Sequence, residues 1–483
     1  MRDYLKNLSK HSAIYSISTV IQRAQGLILL PILTDTAYLA TRGEYGDYSL
    51  IYAFIAFMNV FYLYGIDADF LRYYFLGKHN RQDVYRSAIQ ILAGTAICSS
   101  IIVYLLSKPI SVLLFNDSGY EFFVKISAGI LLVDTLCNLP YLILRAEERS
   151  STYSALRIGR FTLELALNIV FIVFMKLGVK GILYANFVAA VINLIVLIPF
   201  QVSYLKGSYK KDAVRDLLYF GIPMIPNGIA YLAVEMSDRY LMLHLLNKDI
   251  LGEYSANYKF GTLLLLIVTA FRTAWQPFFL KIATNPEAKK IYAKVMDLFV
   301  YGTGFLVLAG SLLLEYIITL PLIGGKSLLG SAYWGGIQII PVILLSYMFY
   351  GIYVNLTVGI YIEKKSGLMW IFTGSAAMAN ILSNLYLMPA FGMMGAAYAT
   401  LIAYMVMTIT IFVANQKIYH IDYHHLQIAV ILSYIFAVLT AYYVFDLSFI
   451  QRILLLSAYL PLIFLINKSG KTAIDLKDTA EIQ

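Results

Sequence analysis

Charged residues are scarce in this sequence: Asp, Glu, Lys and Arg make up 13% of its 483 residues. Soluble globular domains carry about 25%. The hydrophobic fraction reaches 60%, and the mean hydropathy is +0.72. A chain with so little polar material cannot cover its surface in water. The composition therefore excludes an ordinary soluble domain and predicts a protein whose solvent is a lipid bilayer.

Motifs for catalysis and metal binding are also missing. The two cysteines, Cys98 and Cys137, lie in apolar stretches and form no disulfide framework. H-E-x-x-H, G-x-S-x-G and Cys/His metal spacings do not occur. Gly325-Lys326-Ser327 resembles the end of a phosphate-binding loop, but Leu320 occupies the position of the required first glycine. With no ATPase motif, the expected energy source is an ion gradient, the membrane potential or the substrate gradient.

Apolar runs of membrane-spanning length dominate the chain. About 20 apolar residues cross the ~30 Å hydrocarbon core as a helix. This criterion predicts fourteen spans with short connections, leaving no room for an extramembrane catalytic domain. The spans are predicted at 11–33, 45–66, 85–106, 121–144, 153–175, 181–203, 217–243, 252–275, 293–319, 333–360, 367–388, 393–414, 425–445 and 449–467.

The net charge of +9 is spread over the connections between spans. No basic tail or groove forms, so nucleic acid is not an expected partner. Lys and Arg concentrate in alternate connections, including Arg81 and Arg86, and we assign Arg157 and Arg160 to the same side. Since basic loops stay in the cytoplasm, the chain is predicted to lie in the bacterial inner membrane with both termini cytoplasmic.

Two short sequence patterns recur at nearly the same offset. Gly178-x-x-Gly181-x-x-Tyr184-Ala185 returns as Gly392-x-x-Gly395-x-x-Tyr398-Ala399, and Gly43-Glu44-Tyr45 returns as Gly252-Glu253-Tyr254. Unrelated helix-entry turns would be the simpler explanation for a single match. Two matches in one order instead indicate two six-helix bundles related by a pseudo-two-fold axis along the membrane normal. The predicted divisions are a first bundle at 1–205, a second at 206–416 and an additional helix pair with a tail at 417–483.

Cations inside the predicted spans are costly, at least about 2.5–3.5 kcal/mol each at a helix centre, and usually face a cavity or a partner. Arg23, Arg239, Lys259 and Arg272 favour a basic lining between the bundles, suited to an anionic substrate. For Arg239 the alternative is local neutralisation by Glu235 and Asp238, and Arg272 could extend to the surface. Lys125 and Arg452 lie near span ends and are expected to reach the headgroups.

Acidic residues inside the spans could bind a coupling ion, H⁺ or Na⁺, or serve as counter-ions. The candidates are Asp134, Glu164, Glu235 and Asp238, and for the last two the counter-ion role is favoured. The seventh span holds Pro223, Pro226 and Gly228 within six residues. These residues predict either a hinge between the bundles or an ordinary helix start. No cofactor and no bound metal are expected.

Several of these residues together resemble a known superfamily. They are Leu8-Ser9-Lys10 before an Arg/Gln-bearing first span, Gly43-Glu44-Tyr45-Gly46, Ser237-Asp238-Arg239-Tyr240 followed by Gly252-Glu253-Tyr254, and the two Gly-x-x-Gly-x-x-Tyr-Ala entries. Over about residues 5–416 the chain resembles the multidrug/oligosaccharidyl-lipid/polysaccharide exporter superfamily. Within it, the chain is similar to the polysaccharide transport branch, the O-antigen and capsule repeat-unit flippases.

The resemblance implies a flippase that moves undecaprenyl-pyrophosphate-linked oligosaccharide, for O-antigen (lipopolysaccharide) or capsular polysaccharide, from the cytoplasmic to the outer leaflet. Arg23, Arg239, Lys259 and Arg272 fit the cations that such proteins hold for the pyrophosphate. The expected partners are the lipid-linked glycan, the bilayer and other polysaccharide-assembly membrane proteins.

Three other functions are compatible with parts of this pattern. A lipid II flippase shares the additional helix pair and the basic cavity. A multidrug exporter of the same superfamily has twelve helices and an acidic lining. A membrane-embedded polysaccharide polymerase or acyltransferase needs a large outer loop, and no outer connection here exceeds about fourteen residues by the span limits predicted above. The chain is therefore predicted to be a transporter and not an enzyme.

Overall fold

The computed structural model describes residues 26–76, 80–222, 225–321 and 327–469, and these ranges are helical without a β-strand. The α-helices are α1 (Leu30–Leu33), α2 (Arg42–Leu63), α3 (Ile66–Leu76), α4 (Arg81–Leu105), α5 (Ser107–Phe115), α6 (Glu121–Ala146), α7 (Ser150–Asn168), α8 (Gly178–Gln201), α9 (Lys211–Gly221), α10 (Ile225–Leu245), α11 (Lys248–Lys281), α12 (Ala288–Thr319), α13 (Ile340–Leu356), α14 (Val358–Ile362), α15 (Met369–Phe391), α16 (Met393–Ile418), α17 (His425–Val444) and α18 (Phe449–Ser469).

Short segments of other helix types extend several of these elements. A π-helix (Ile169–Phe174) continues α7, and a 3₁₀-helix (Ser331–Ile339) leads into α13. Further single turns of 3₁₀-helix occur at Ser118–Tyr120, Tyr204–Lys206 and Ser366–Leu368. The predicted spans 153–175 and 333–360 are each one continuous apolar run. In the structure each run contains more than one helix type, because the main-chain hydrogen-bonding pattern changes within it.

Ten helices in the described ranges are long and apolar enough to cross a membrane. Three further helical segments match predicted spans: α7 with its π-helix, α10 and α15. Only the last residues of the first predicted span are described. The all-helical polytopic fold predicted from hydropathy is therefore confirmed.

The helices pack into two groups. In the N-terminal group, α2, α4 and α8 contact α6, and α7 packs on α8. In the C-terminal group, α13 is surrounded by α11, α12 and α16, while α15 packs between α10 and α16. Every residue of α13 is buried, as expected for a helix that is apolar all round. The final helices, α17 and α18, contact α12.

The segment between the groups contains a helix that hydropathy did not predict. In α9, apolar residues alternate with charged ones, and the helix packs on α3 and α4. The main-chain amide of Ser208 donates to Asp83 (2.6 Å) and that of Lys210 donates to Ser87 (2.8 Å). The predicted span 217–243 is thus wrong at its start, because its first residues belong to α9 and the next long helix begins at Ile225.

The first glycine of the Gly-x-x-Gly-x-x-Tyr-Ala repeat has a similar φ in both copies. Gly178 and Gly392 adopt φ of +55° and +57°, a left-handed conformation that favours glycine. Each lies where one helix ends and the next begins. A Cβ at Gly395 would lie 2.1 Å from the carbonyl oxygen of Leu387, so this second glycine permits a tight turn. Both copies thus begin a helix at a glycine with positive φ, but the turns differ in length, because residues 175–177 separate the first pair of helices and Gly392 alone separates the second.

Candidate functional site

The long helix α11 carries two of the predicted cations, Lys259 and Arg272. They are 13 residues apart in the sequence, or about 20 Å along the helix axis at 1.5 Å per residue. Within the described residues, neither forms an ion pair with a carboxylate. An uncompensated cation at this depth requires hydration or an anionic ligand.

The groups that contact the Lys259 ammonium in the described residues are neutral. Its Nζ lies 3.3 Å from the carbonyl oxygen of Gly26 and about 5 Å from the ring centroids of Tyr45 (5.2 Å) and Tyr48 (5.0 Å). Ring faces attract a cation without neutralising it. Arg239 is also close enough to repel it. Lys259 is therefore held in place by a main-chain carbonyl and two ring faces, and no carboxylate of the described residues neutralises it.

Arg272 faces a cavity of about 540 Å³ whose lining residues all come from α11. They recur at helical spacing and include two hydroxyls and a carboxamide: Thr269, Arg272, Thr273, Gln276, Pro277 and Leu280. The Arg272 Nη1 donates to the Tyr350 hydroxyl at 3.2 Å. The Thr269 and Thr273 hydroxyls donate to main-chain carbonyls of their own helix, at 2.7 and 2.9 Å. The groups of this face that suit phosphate oxygens are therefore the Arg272 guanidinium and the Gln276 carboxamide.

Arg239 has a different environment, because its charge is neutralised inside the C-terminal group. Its Nη1 lies 3.2 Å from Asp238 Oδ1 and 2.5 Å from the carbonyl oxygen of Glu235, and its guanidinium stacks 4.8 Å from the Tyr258 ring centroid. Asp238 is fully buried and also accepts a hydrogen bond from the Tyr254 hydroxyl (2.5 Å). The counter-ion of Arg239 is thus Asp238, while Glu235 contributes only its main chain.

The Glu235 carboxylate is buried among tyrosines. Tyr347 donates to its Oε2 at 3.1 Å, and Tyr404 donates to its Oε1. Tyr258 in turn shares a hydrogen bond with Tyr347 at 3.0 Å. No Lys, Arg or His of the described ranges forms an ion pair with this carboxylate. Glu235 is therefore a buried acid that accepts hydrogen bonds from two neutral hydroxyls and is attracted by the nearby Arg239 charge.

The N-terminal group has a separate polar cluster. Arg160 of α7 pairs with Asp134 of α6 at 2.7 Å, and Glu164 lies one turn further along α7 and attracts Arg160. Arg157 stacks 4.1 Å from the Tyr141 ring centroid. Arg157 and Arg160, which we assign to the cytoplasmic side, both lie within α7 (Ser150–Asn168), and that assignment stays a prediction.

Two other cations, which we expect to reach the headgroups, form ion pairs. Lys125 pairs with Glu121 one turn earlier at 2.7 Å, and Arg452 pairs with Glu315 at 2.7 Å. The second pair joins α18 to α12, which compensates both charges near one membrane surface. The expectation that both side chains reach the headgroups stays a prediction.

The remaining predicted site residues lie at or beyond the ends of the described ranges. Arg23 and Pro223 are outside the described residues. Pro226 is the second residue of α10, where proline is tolerated. A Cβ at Gly228 would meet Val60 Cγ1 at 3.0 Å, so this glycine allows α10 to approach α2. The hinge stays a prediction.

The ten long apolar helices of the described ranges define a multi-pass membrane protein. The chain belongs to the polysaccharide biosynthesis protein family, whose model matches residues 8–283, more than half of its length. The predicted resemblance is confirmed by this match. No protein of curated function matches the chain.

Solved structures share the fold at low sequence identity. The lipid II flippase MurJ in an inward closed conformation is 16% identical, with a TM-score of 0.74 over 95% of this chain and 99% of that chain. An inward-facing multidrug resistance MATE family transporter is 13% identical, with a TM-score of 0.58 over 86% and 99%. The Vibrio cholerae MATE transporter VcmN in its bent form is 17% identical, with a TM-score of 0.54 over 83% and 98%. The prediction of a transporter and not an enzyme is confirmed by the family and these neighbours.

Proposed function

We propose that this protein flips undecaprenyl-pyrophosphate-linked oligosaccharide repeat units, of O-antigen or capsular type, across the bacterial inner membrane by alternating access. The observation that carries the proposal is the pair of cations on α11, Lys259 and Arg272, without carboxylate partners among the described residues. A diphosphate headgroup supplies the missing negative charge. The sugars would cross between the helix groups while the lipid tail stays in the bilayer.

The charge distribution of the connections gives the proposed direction. With the termini in the cytoplasm, α11 begins on the outer side at Lys248 and ends on the cytoplasmic side at Lys281. A headgroup entering from the cytoplasm would meet Arg272 first and Lys259 about 20 Å further along. Two successive sites of moderate affinity would let the diphosphate headgroup move on, because each site can release it. A single site of very high affinity would hold the headgroup in place.

Lipid II is the second candidate substrate, because the flippase MurJ shares the fold over 95% of this chain. The test is genetic replacement in two strains. Cells that lack this protein should lose surface polysaccharide and regain it from a plasmid copy, whereas cells depleted of MurJ should not be rescued by it. Rescue of the MurJ-depleted cells with no effect on surface polysaccharide would contradict the O-unit proposal.

We further propose that transport is coupled to protons through Glu235. Its burial between the hydroxyls of Tyr347 and Tyr404, without an ion pair among the described residues, supports this role. An acid in such a place can exchange a proton as the site alternates between the two sides. Asp134 is less suited to this role, because Arg160 already neutralises it.

The substitution Glu235→Gln should remove the response of transport to a pH gradient, because an amide keeps the side-chain shape but does not titrate. The measurement is the flipping rate in proteoliposomes with and without an imposed gradient. Glu287→Gln is the matched control, as Glu287 is an exposed residue paired with Lys290 at 2.9 Å. An unchanged gradient response in Glu235→Gln would remove Glu235 from the coupling step.

A further inference from the structure

The second sequence repeat forms a contact between the two helix groups. Gly46 lies near the start of α2 and Gly252 near the start of α11, and the helices cross at these glycines. A Cβ at Gly252 would lie 1.9 Å from the carbonyl oxygen of Arg42, and a Cβ at Gly46 would lie 2.6 Å from that of Lys248. Each would meet main-chain atoms, which cannot rotate away. The crossing therefore requires glycine at both positions.

Polar contacts surround this crossing and also connect the groups. Arg42 Nη1 pairs with Glu253 Oε2 at 2.6 Å, and the Gly43 amide donates to Asp249 Oδ1 at 2.7 Å. Lys248 pairs with Asp47 at 3.1 Å. The Asp47 and Glu253 residues are only 4% and 5% exposed. If the helices separate, these carboxylates lose their partners and must be hydrated.

A second backbone contact between the two helix groups lies at the same end of the molecule. The Gly330 amide donates to Thr34 Oγ1 at 2.9 Å, and a Cβ at Gly330 would lie 2.1 Å from the Thr34 carbonyl oxygen. Thr34 follows α1, in the N-terminal part of the chain, and Gly330 precedes the 3₁₀-helix that leads into α13. Glycine-mediated backbone contacts thus seal this end at two places, and both join the N-terminal to the C-terminal helices.

We propose that the Gly46–Gly252 crossing is the outer gate of the transporter. Closed, it seals the end at which α2 and α11 begin. To open the gate, α2 and α11 must separate. The Arg42–Glu253 and Lys248–Asp47 ion pairs then break, and water hydrates the four separated charges. The gate rests on the proposed transport function. Gly252 begins the second copy of the Gly-Glu-Tyr repeat, and Gly46 directly follows the first copy.

A side chain at Gly252 should hold the gate open. Ser49, one turn inside Gly46 on α2, is 9% exposed in the closed gate and serves as the reporter position. In a background with Cys98 and Cys137 replaced by alanine, Ser49→Cys is labelled with an impermeant thiol reagent on spheroplasts. Adding Gly252→Ala should accelerate labelling by about tenfold or more, because overpacking against the backbone shifts the equilibrium to the open form.

Gly302→Ala is the matched control, since a Cβ there has no atom within 4 Å. Equal labelling rates in the Gly252→Ala and Gly302→Ala proteins would overturn the proposal. If the Gly252→Ala protein does not accumulate, the Arg42–Glu253 ion pair is tested instead. Arg42→Glu should accelerate the labelling of Ser49→Cys. Combining Arg42→Glu with Glu253→Arg should restore protection from labelling. Failure of the swap to restore protection would also contradict the gate. The labelling needs no substrate, so its outcome is independent of which lipid-linked molecule is carried.

Discussion

Replacing Lys259 with alanine is expected to abolish surface polysaccharide while the protein stays in the membrane at normal abundance. The ammonium is held by the Gly26 carbonyl oxygen and two tyrosine rings and forms no ion pair among the described residues. Its removal leaves no buried acid uncompensated, so the fold should survive. A charge-assisted contact to phosphate is worth about 1.5–3 kcal/mol, which corresponds to an about 10- to 100-fold loss of substrate affinity.

The matched control for this substitution is Lys281→Ala, at the exposed end of the same helix. It removes an identical charge outside the predicted path and should leave polysaccharide export unchanged. Lys259→Arg should retain much of the activity, since it keeps the cation. Normal export by Lys259→Ala cells, measured by surface polysaccharide staining and membrane immunoblotting, would exclude Lys259 from the substrate site.

Arg239→Ala is expected to fail for a structural reason. Asp238 is fully buried and has Arg239 as its counter-ion. Breaking a buried pair by removing one partner costs about 3–5 kcal/mol in soluble proteins. The variant should therefore lose folded protein, read as a lower melting temperature and a broadened size-exclusion peak in detergent.

Neutralising the partner separates this explanation from a direct role in binding. In the Arg239→Ala background, the additional change Asp238→Asn should recover much of the lost stability, because no uncompensated charge is left. A single variant that folds as well as the unmodified protein but transports nothing would instead assign Arg239 to the substrate, as the sequence pattern first favoured.

Hydropathy predicted the helices well because a bilayer imposes a minimum apolar length on each span. It could not predict the amphipathic α9, whose apolar residues are too few to register as a span. It also could not show where a continuous apolar run changes from α-helix to π-helix at Ile169, since that change depends on hydrogen bonding.

The candidate site was predictable in composition but not in pairing. Four ionisable residues of α10 and α11 were found from their depth alone: Glu235, Asp238, Arg239 and Lys259. Which of them compensate one another depends on side-chain direction. Only the structure separates the neutralised Arg239 from Lys259, which has no carboxylate partner among the described residues. In the same way, Arg160 and Asp134 lie on different helices, so that their ion pair had no local sequence signal.

Native mass spectrometry of the purified protein tests the central claim most directly. The account predicts that a species with the mass of an undecaprenyl-pyrophosphate oligosaccharide stays bound to the unmodified protein, is largely absent from Lys259→Ala, and is retained by Lys281→Ala. Binding of membrane phospholipids alone, in equal amounts by all three proteins, would contradict it.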